Sequence, residues 1–198
     1  MDNDFLIFRC ANASRAIRHH LREAREERRP YVFVTDTMRP SPLVGFVEHA
    51  EPVATPLPLL VPVTMLEEEV YKAELCTYLA RKTGAEIVLL VPNDVGSKAK
   101  TNIQRIVTHI RSVAERTEVD IHYRVEEGLK DSFSLYREAA ELTHANTATP
   151  YGALILTASR EYGLDDWLFG PAEYHAIRRS LTPVFLLNPR EDLFSLCD

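Results

Sequence analysis

The chain is short of the residue patterns that usually announce chemistry. Its three cysteines, Cys10, Cys76 and Cys197, lie too far apart to form a C-x-x-C pair, which excludes a zinc knuckle or dithiol redox motif and leaves buried, idle thiols as the expectation. No apolar run approaches the roughly 20 residues that span a bilayer, Leu57 to Thr64 being among the longest, and the N-terminus lacks a signal-peptide pattern. A cytoplasmic location with no membrane insertion is expected. Clustered positive charge is scarce as well: the net charge is -6, and counterion release on nucleic acid needs grouped Lys and Arg. The histidines, His19-His20, His49, His109, His122, His144 and His175, show no H-x-x-x-H spacing, so no metal ligands are expected. Ser132 and Ser159 lack a G-x-S-x-G setting, and Glu67-Glu68-Glu69 reads as favourable charge in the first turn of a helix rather than as a catalytic carboxylate pair. No catalytic residue is expected.

What is present is an ordinary globular composition, 45% hydrophobic and 26% charged over 198 residues, enough for one sizeable core. From Pro58 onward short β-branched runs alternate with helical periodicity, the signature of βαβ units and a mostly parallel sheet. Strands are expected at Leu59 to Val63, Glu86 to Val91, Val119 to Val125, Ala153 to Leu156 and Val184 to Leu187. The spacing of Ile103, Ile106, Ile110 and Val113 predicts a helix from about Ser97 to Thr117. Thr64-x-x-Glu67 predicts a capping box, Gly84 a left-handed helix end, and Asp131 the start of another helix. A further helix is expected to start at Gly170-Pro171, where proline suits the first turn.

Residues 1–56 read as a separate extension. Phe5 to Phe8 and Tyr31 to Val34 suggest two strands flanking a helix from Ser14 to Arg29, and a proline-containing linker follows from Pro40 to Pro62. That helix holds six arginines and three glutamates, a solvated face with pairs such as Arg22–Glu26, or else a docking surface for an acidic partner or anionic lipid. No internal repeat is evident. The expected division is therefore 1–56 and 57–198.

The segment Thr157-Ala158-Ser159-Arg160, nine residues from Glu161 to Phe169, then Gly170-Pro171, follows an apolar strand and precedes a helix. Together with Leu59-Leu60-Val61-Pro62-Val63-Thr64, with Leu79 to Val91, and with Pro183-Val184-Phe185-Leu186-Leu187, this layout resembles the universal stress protein family over residues 57–190. The resemblance implies a doubly wound α/β fold with a five-stranded, mostly parallel sheet of order 3-2-1-4-5 and helices on both faces. It also implies a nucleotide site at Pro62, Val63, Thr64, Val91, Thr157, Ser159, Arg160, Gly170 and Pro171, and an antiparallel homodimer through Val184, Phe185, Leu186 and Leu187.

The sequence departs from the family at the positions that matter. Thr64 replaces the aspartate that contacts adenosine in nucleotide-binding relatives. Thr157 and Arg160 replace two glycines that let backbone approach phosphate. Pro171 replaces a hydroxyl residue and offers no N–H, and Asp165 and Asp166 stand where basic residues are common. The expected function is a non-enzymatic regulatory or scaffold domain working through homodimerisation and protein partners, without a cofactor. Two alternatives stay open: an ATP or adenine-nucleotide-binding stress protein, and a cytoplasmic regulatory partner of a membrane transporter.

Overall fold

A computed structural model describes residues 5–24, 27, 29–39, 41–129, 131–144, 150–159 and 170–188. The strands are β1 (Leu6–Cys10), β2 (Tyr31–Thr35), β3 (Leu59–Pro62), β4 (Ile87–Pro92), β5 (Ile121–Glu126), β6 (Ala153–Thr157) and β7 (Val184–Leu187). The helices are α1 (Ser14–Ala24), α2 (Pro42–His49), α3 (Lys72–Thr83), α4 (Ser97–Arg116), α5 (Ser132–Leu142) and α6 (Ala172–Arg179), and a 3-10 turn, Glu67–Tyr71, leads into α3.

All seven strands form one sheet of order β1-β2-β7-β6-β3-β4-β5. The five-stranded sheet expected from the sequence is thereby corrected to a seven-stranded mixed one. The two extra strands are those of the N-terminal extension, and every pairing is parallel except β2 with β7. Helices cover both faces. Ile103, Ile106 and Ile110 of α4, Leu75 and Leu79 of α3, and Leu43 and Val47 of α2 pack with alternate strand residues such as Val61, Ile155 and Phe185. Ile17 and Leu21 of α1, Leu135 and Ala139 of α5, and Tyr174 and Ile177 of α6 pack with the other set, Leu60, Leu154 and Leu186. The alternation along each strand sorts side chains between the two layers.

The stretch expected as linker contains α2. Pro42 sits in its first turn, where a fixed φ and a missing N–H are harmless, and Leu43, Val44 and Val47 are buried. Its approach is held by Ser41 Oγ donating to the Gly152 carbonyl at 2.7 Å. Gly152 is there because a Cβ would lie 2.9 Å from that of Leu57. The helix predicted to reach Arg29 is described over Ser14–Ala24 and does not include Glu27 or Arg29, and the pairs expected through Glu26 lie outside the described residues.

The extension repeats the β6–α6–β7 unit. Val32 faces Phe185 at the centre of the antiparallel pair, flanked by Tyr31 with Leu186 and Phe33 with Val184. A local two-fold axis through that central pair exchanges β2 with β7. It also exchanges β1 with β6, since Leu6 aligns with Tyr31 as Leu154 aligns with Val184. Equivalent hydrogen bonds recur, Leu6 N–H to the Pro30 carbonyl and Leu154 N–H to the Pro183 carbonyl, each at 3.0 Å. Both crossover helices lie on the same face, where the Arg18 guanidinium of α1 sits 5.3 Å from the centre of the Tyr174 ring of α6.

This arrangement bears on the expected dimer strand. Val184, Phe185, Leu186 and Leu187 are buried between β6 and β2, so the sheet edge that a second copy would need is already filled by the chain itself. The homodimer placed on these residues is corrected accordingly. Val32→Asp and Phe185→Asp each put a carboxylate into the same buried seam and should each lower the unfolding free energy by about 3 kcal/mol or more. Urea denaturation and light scattering check this: the expected result is lost stability at unchanged mass, and a fully stable protein whose mass halves would contradict it.

Candidate functional site

The chain order reverses between β3 and β6, and ligands of open α/β sheets bind beyond the carboxyl ends of the strands at such a point. Beneath this crevice lies a buried polar cluster. Glu69, in the middle of the 3-10 turn, and Lys72, at the start of α3, are fully enclosed and paired at 2.6 Å. Lys72 Nζ also donates to the Pro62 carbonyl at 2.6 Å, Tyr136 OH donates to Glu69 Oε1 at 3.1 Å, and it lies 3.3 Å from the Thr157 carbonyl. Burial pulls the Lys72 ammonium below its ordinary pKa despite the opposing pull of Glu69, and burial, then the nearby carboxylates, raise the Tyr136 hydroxyl well above its own.

The expected capping box takes a different form. Thr64 Oγ1 accepts from Leu66 N–H at 3.3 Å, and the carboxylate returning to Thr64 N–H, at 3.4 Å, is Glu69 rather than Glu67. Glu67 is exposed and reaches Arg105 at 3.8 Å. All three glutamates lie in the first turn of the 3-10 helix as expected, and Glu69 is in addition buried and paired with Lys72.

The other wall is α6. Gly170 has φ +84, a turn that brings the chain into the helix, and a Cβ there would press on the Tyr174 ring at 3.1 Å. Pro171 is the N-cap residue and makes no side-chain cap bond. Two residues on, Glu173 is buried in the first turn and its Oε1 accepts the Ser159 N–H at 2.5 Å. That amide is one that a bound anion would use. The chain supplies the anion itself.

Of the residues expected at the site, Ser159 and Gly170 line an open cavity of about 820 Å³ between the start of α5 and the start of α6. Met65, Leu66, Phe133, Tyr136 and His175 form most of its remaining wall. Thr64 instead borders an adjoining space of about 10 Å³ with Pro92, Val95 and Leu135, which shares Met65, Asp131 and Ser132 with that cavity. Pro62 and Val63 are spent on backbone pairing: the Pro62 carbonyl holds Lys72, and Val63 N–H donates to the Leu90 carbonyl at 2.9 Å. Val91 packs into the core, and Thr157 is buried with its hydroxyl lacking a hydrogen-bond partner among the described residues. Arg160, Asp165 and Asp166 lie outside the described residues. Both described thiols are buried, Cys10 pushed up to about 11 by burial and then Asp36, and Cys76 to about 12 chiefly by burial.

Comparisons with solved structures decide the fold. A universal stress protein from Archaeoglobus fulgidus superposes with a TM-score of 0.62 at 16% identity, over 96% of this chain and 62% of that one. The chain has a universal stress protein fold. It spans about three-fifths of the Archaeoglobus protein's length. A universal stress protein in complex with cAMP aligns over 68% of this chain and 98% of its own at a TM-score of 0.50 and 16% identity. A further one from Pseudomonas aeruginosa aligns over 98% of this chain and 66% of its own, with a TM-score of 0.55 and 16% identity. No family profile matches the sequence, and no curated protein does. No helix among the described residues is long and apolar enough to cross a membrane.

Within this universal stress protein fold, the buried residues Glu69, Lys72, Tyr136 and Glu173 were missed by sequence reasoning. A signal existed for two of them: Glu69 and Lys72 share the three- and four-residue spacing of Cys76, Leu79 and Ala80, which marks the inner face. Glu69→Gln strands the Lys72 charge in the core and should cost about 3–5 kcal/mol at neutral pH, while Glu69→Gln with Lys72→Met should recover most of it. A lysine depressed in the folded state destabilises fully below its folded pKa, and the penalty is relieved as pH rises towards the unfolded value near 10.4. The deficit of the single variant in chemical denaturation should therefore narrow between pH 7 and 10, and a constant deficit would contradict the assignment.

Proposed function

We propose that the chain is a non-enzymatic regulatory or scaffold protein built on the universal stress protein fold, whose nucleotide site has been given over to its own side chains. The observation that carries this reading is the Glu173 carboxylate on the Ser159 amide. A phosphate in the same place would have to displace a buried carboxylate or lie against it, and like charges at a few ångströms in a low-dielectric site repel strongly. The absence of an N–H at Pro171 acts in the same direction. With β7 enclosed, contact with partners falls to other surfaces, first among them the exposed arginines of α1 at Arg15, Arg18 and Arg22.

One observation favours a second reading, that of an adenine-nucleotide-binding protein: a structure of this fold holds cAMP. Thermal unfolding with Mg-ATP and with cAMP separates the two. A ligand at a hundred to a thousand times its dissociation constant adds about 3–4 kcal/mol, a rise in melting temperature of several degrees. No shift is expected with either nucleotide. A saturable shift at micromolar concentration would establish the second reading instead.

A further inference from the structure

The 820 Å³ cavity between α5 and α6 has a size suited to a small molecule and a chemistry of its own. Four large apolar side chains stand exposed among the described residues, and two of them, Met65 at 40% and Phe133 at 42%, sit on the lip of this one cavity. Behind them the wall continues with Leu66, Ala172 and the buried Tyr136. His175 meets the Phe133 ring edge to face at 5.0 Å, so two rings form one side of the opening. Two exposed apolar residues set apart would carry no meaning; two facing the same hollow are a contact surface in waiting.

Charge selects among the molecules that could fill it. Asp131 stands at the rim, held by its bond from Ser134 N–H at 2.7 Å. Among the described lining residues none is Lys or Arg. An anion entering here would face the Asp131 carboxylate at the rim. A donor group on an otherwise apolar ring would find the Asp131 carboxylate and the hydroxyls of Ser132 and Ser159.

We infer that the cavity lined by Met65, Phe133 and His175 is a binding site for an uncharged aromatic molecule bearing a hydrogen-bond donor, the small ligand to which a regulatory protein of this kind responds. The inference rests on the reading that the nucleotide site is lost, and deepens it by naming what the site takes instead. The same ring platform that receives the ligand belongs to α5 and α6, so occupancy ties together the starts of two helices on either side of the crevice.

A matched pair of fluorescent probes tests this: N-phenyl-naphthylamine, an uncharged aryl amine, and anilinonaphthalene sulfonate, the same skeleton with a fixed negative charge. The amine should bind the full chain saturably with one site and about tenfold more tightly than the sulfonate. Phe133→Ala removes an exposed ring and should weaken the amine about fivefold, and Ala172→Trp should block it, both with cooperative melting retained. Asp131→Asn keeps a good N-cap and should narrow the gap between the two probes. Non-saturating binding, tighter binding of the sulfonate, or equal affinity in Phe133→Ala and Ala172→Trp would overturn the inference. Mg-ATP run in parallel keeps the two ideas apart: amine binding absent and ATP silent overturns the ligand site alone, whereas displacement of the amine by ATP overturns the loss of the nucleotide site as well.

Discussion

A single internal contact, the Glu173 carboxylate on the Ser159 amide, determines what the crevice can do. The Ser159 amide and the first turn of α6, the positive end of a helix dipole, come together at one place. Some negative group must answer them, and in this chain it comes from the first turn of α6. On the proposed reading, a carboxylate in that place lets Pro171 lack an amide and Thr157 carry a side chain without cost. Gly170 persists for a separate reason, a left-handed turn crowded by Tyr174. The Glu69–Lys72–Tyr136 bonds then fix the opposite wall of the same crevice and fill it with side chains.

The sheet imposes a second constraint. A strand such as β7, apolar on both faces, cannot stand at an edge without inviting another chain. Here the invitation is answered from within, by a βαβ unit that repeats β6–α6–β7 about a local two-fold axis centred on Val32 and Phe185. The self-pairing also positions the site: α1 packs on α6 through Ile17, Leu21, Tyr174 and Ile177, and so steadies the helix that carries Glu173 and His175.

The local layout was legible because it depends on patterns written along the chain. Ile103, Ile106 and Ile110 announced a helix, Gly84 its neighbour's end, and the apolar runs at Leu59, Ile87 and Ala153 the parallel strands. What escaped depends on pairing between distant segments. Nothing in Tyr31 to Val34 says which strand it will meet, and the repeat is carried by a proline before an apolar strand rather than by matching residues, as Pro30 and Pro183 do. At the site, Thr64 and Pro171 stand where the resembled family carries an adenosine-contacting aspartate and a hydroxyl residue. The roles of Glu69 and Glu173 were hidden, because both look like any helix-start glutamates until burial gives them partners.

The measurement that goes most directly to the central contact is amide hydrogen exchange at Ser159, by NMR, in the free protein and with millimolar Mg-ATP. An amide already held by Glu173 should be protected without nucleotide, lose that protection in Glu173→Gln, and show no change when Mg-ATP is added. Rapid exchange in the free protein that nucleotide slows would mean that the amide waits for phosphate, contradicting the view of a crevice filled by the chain's own carboxylate.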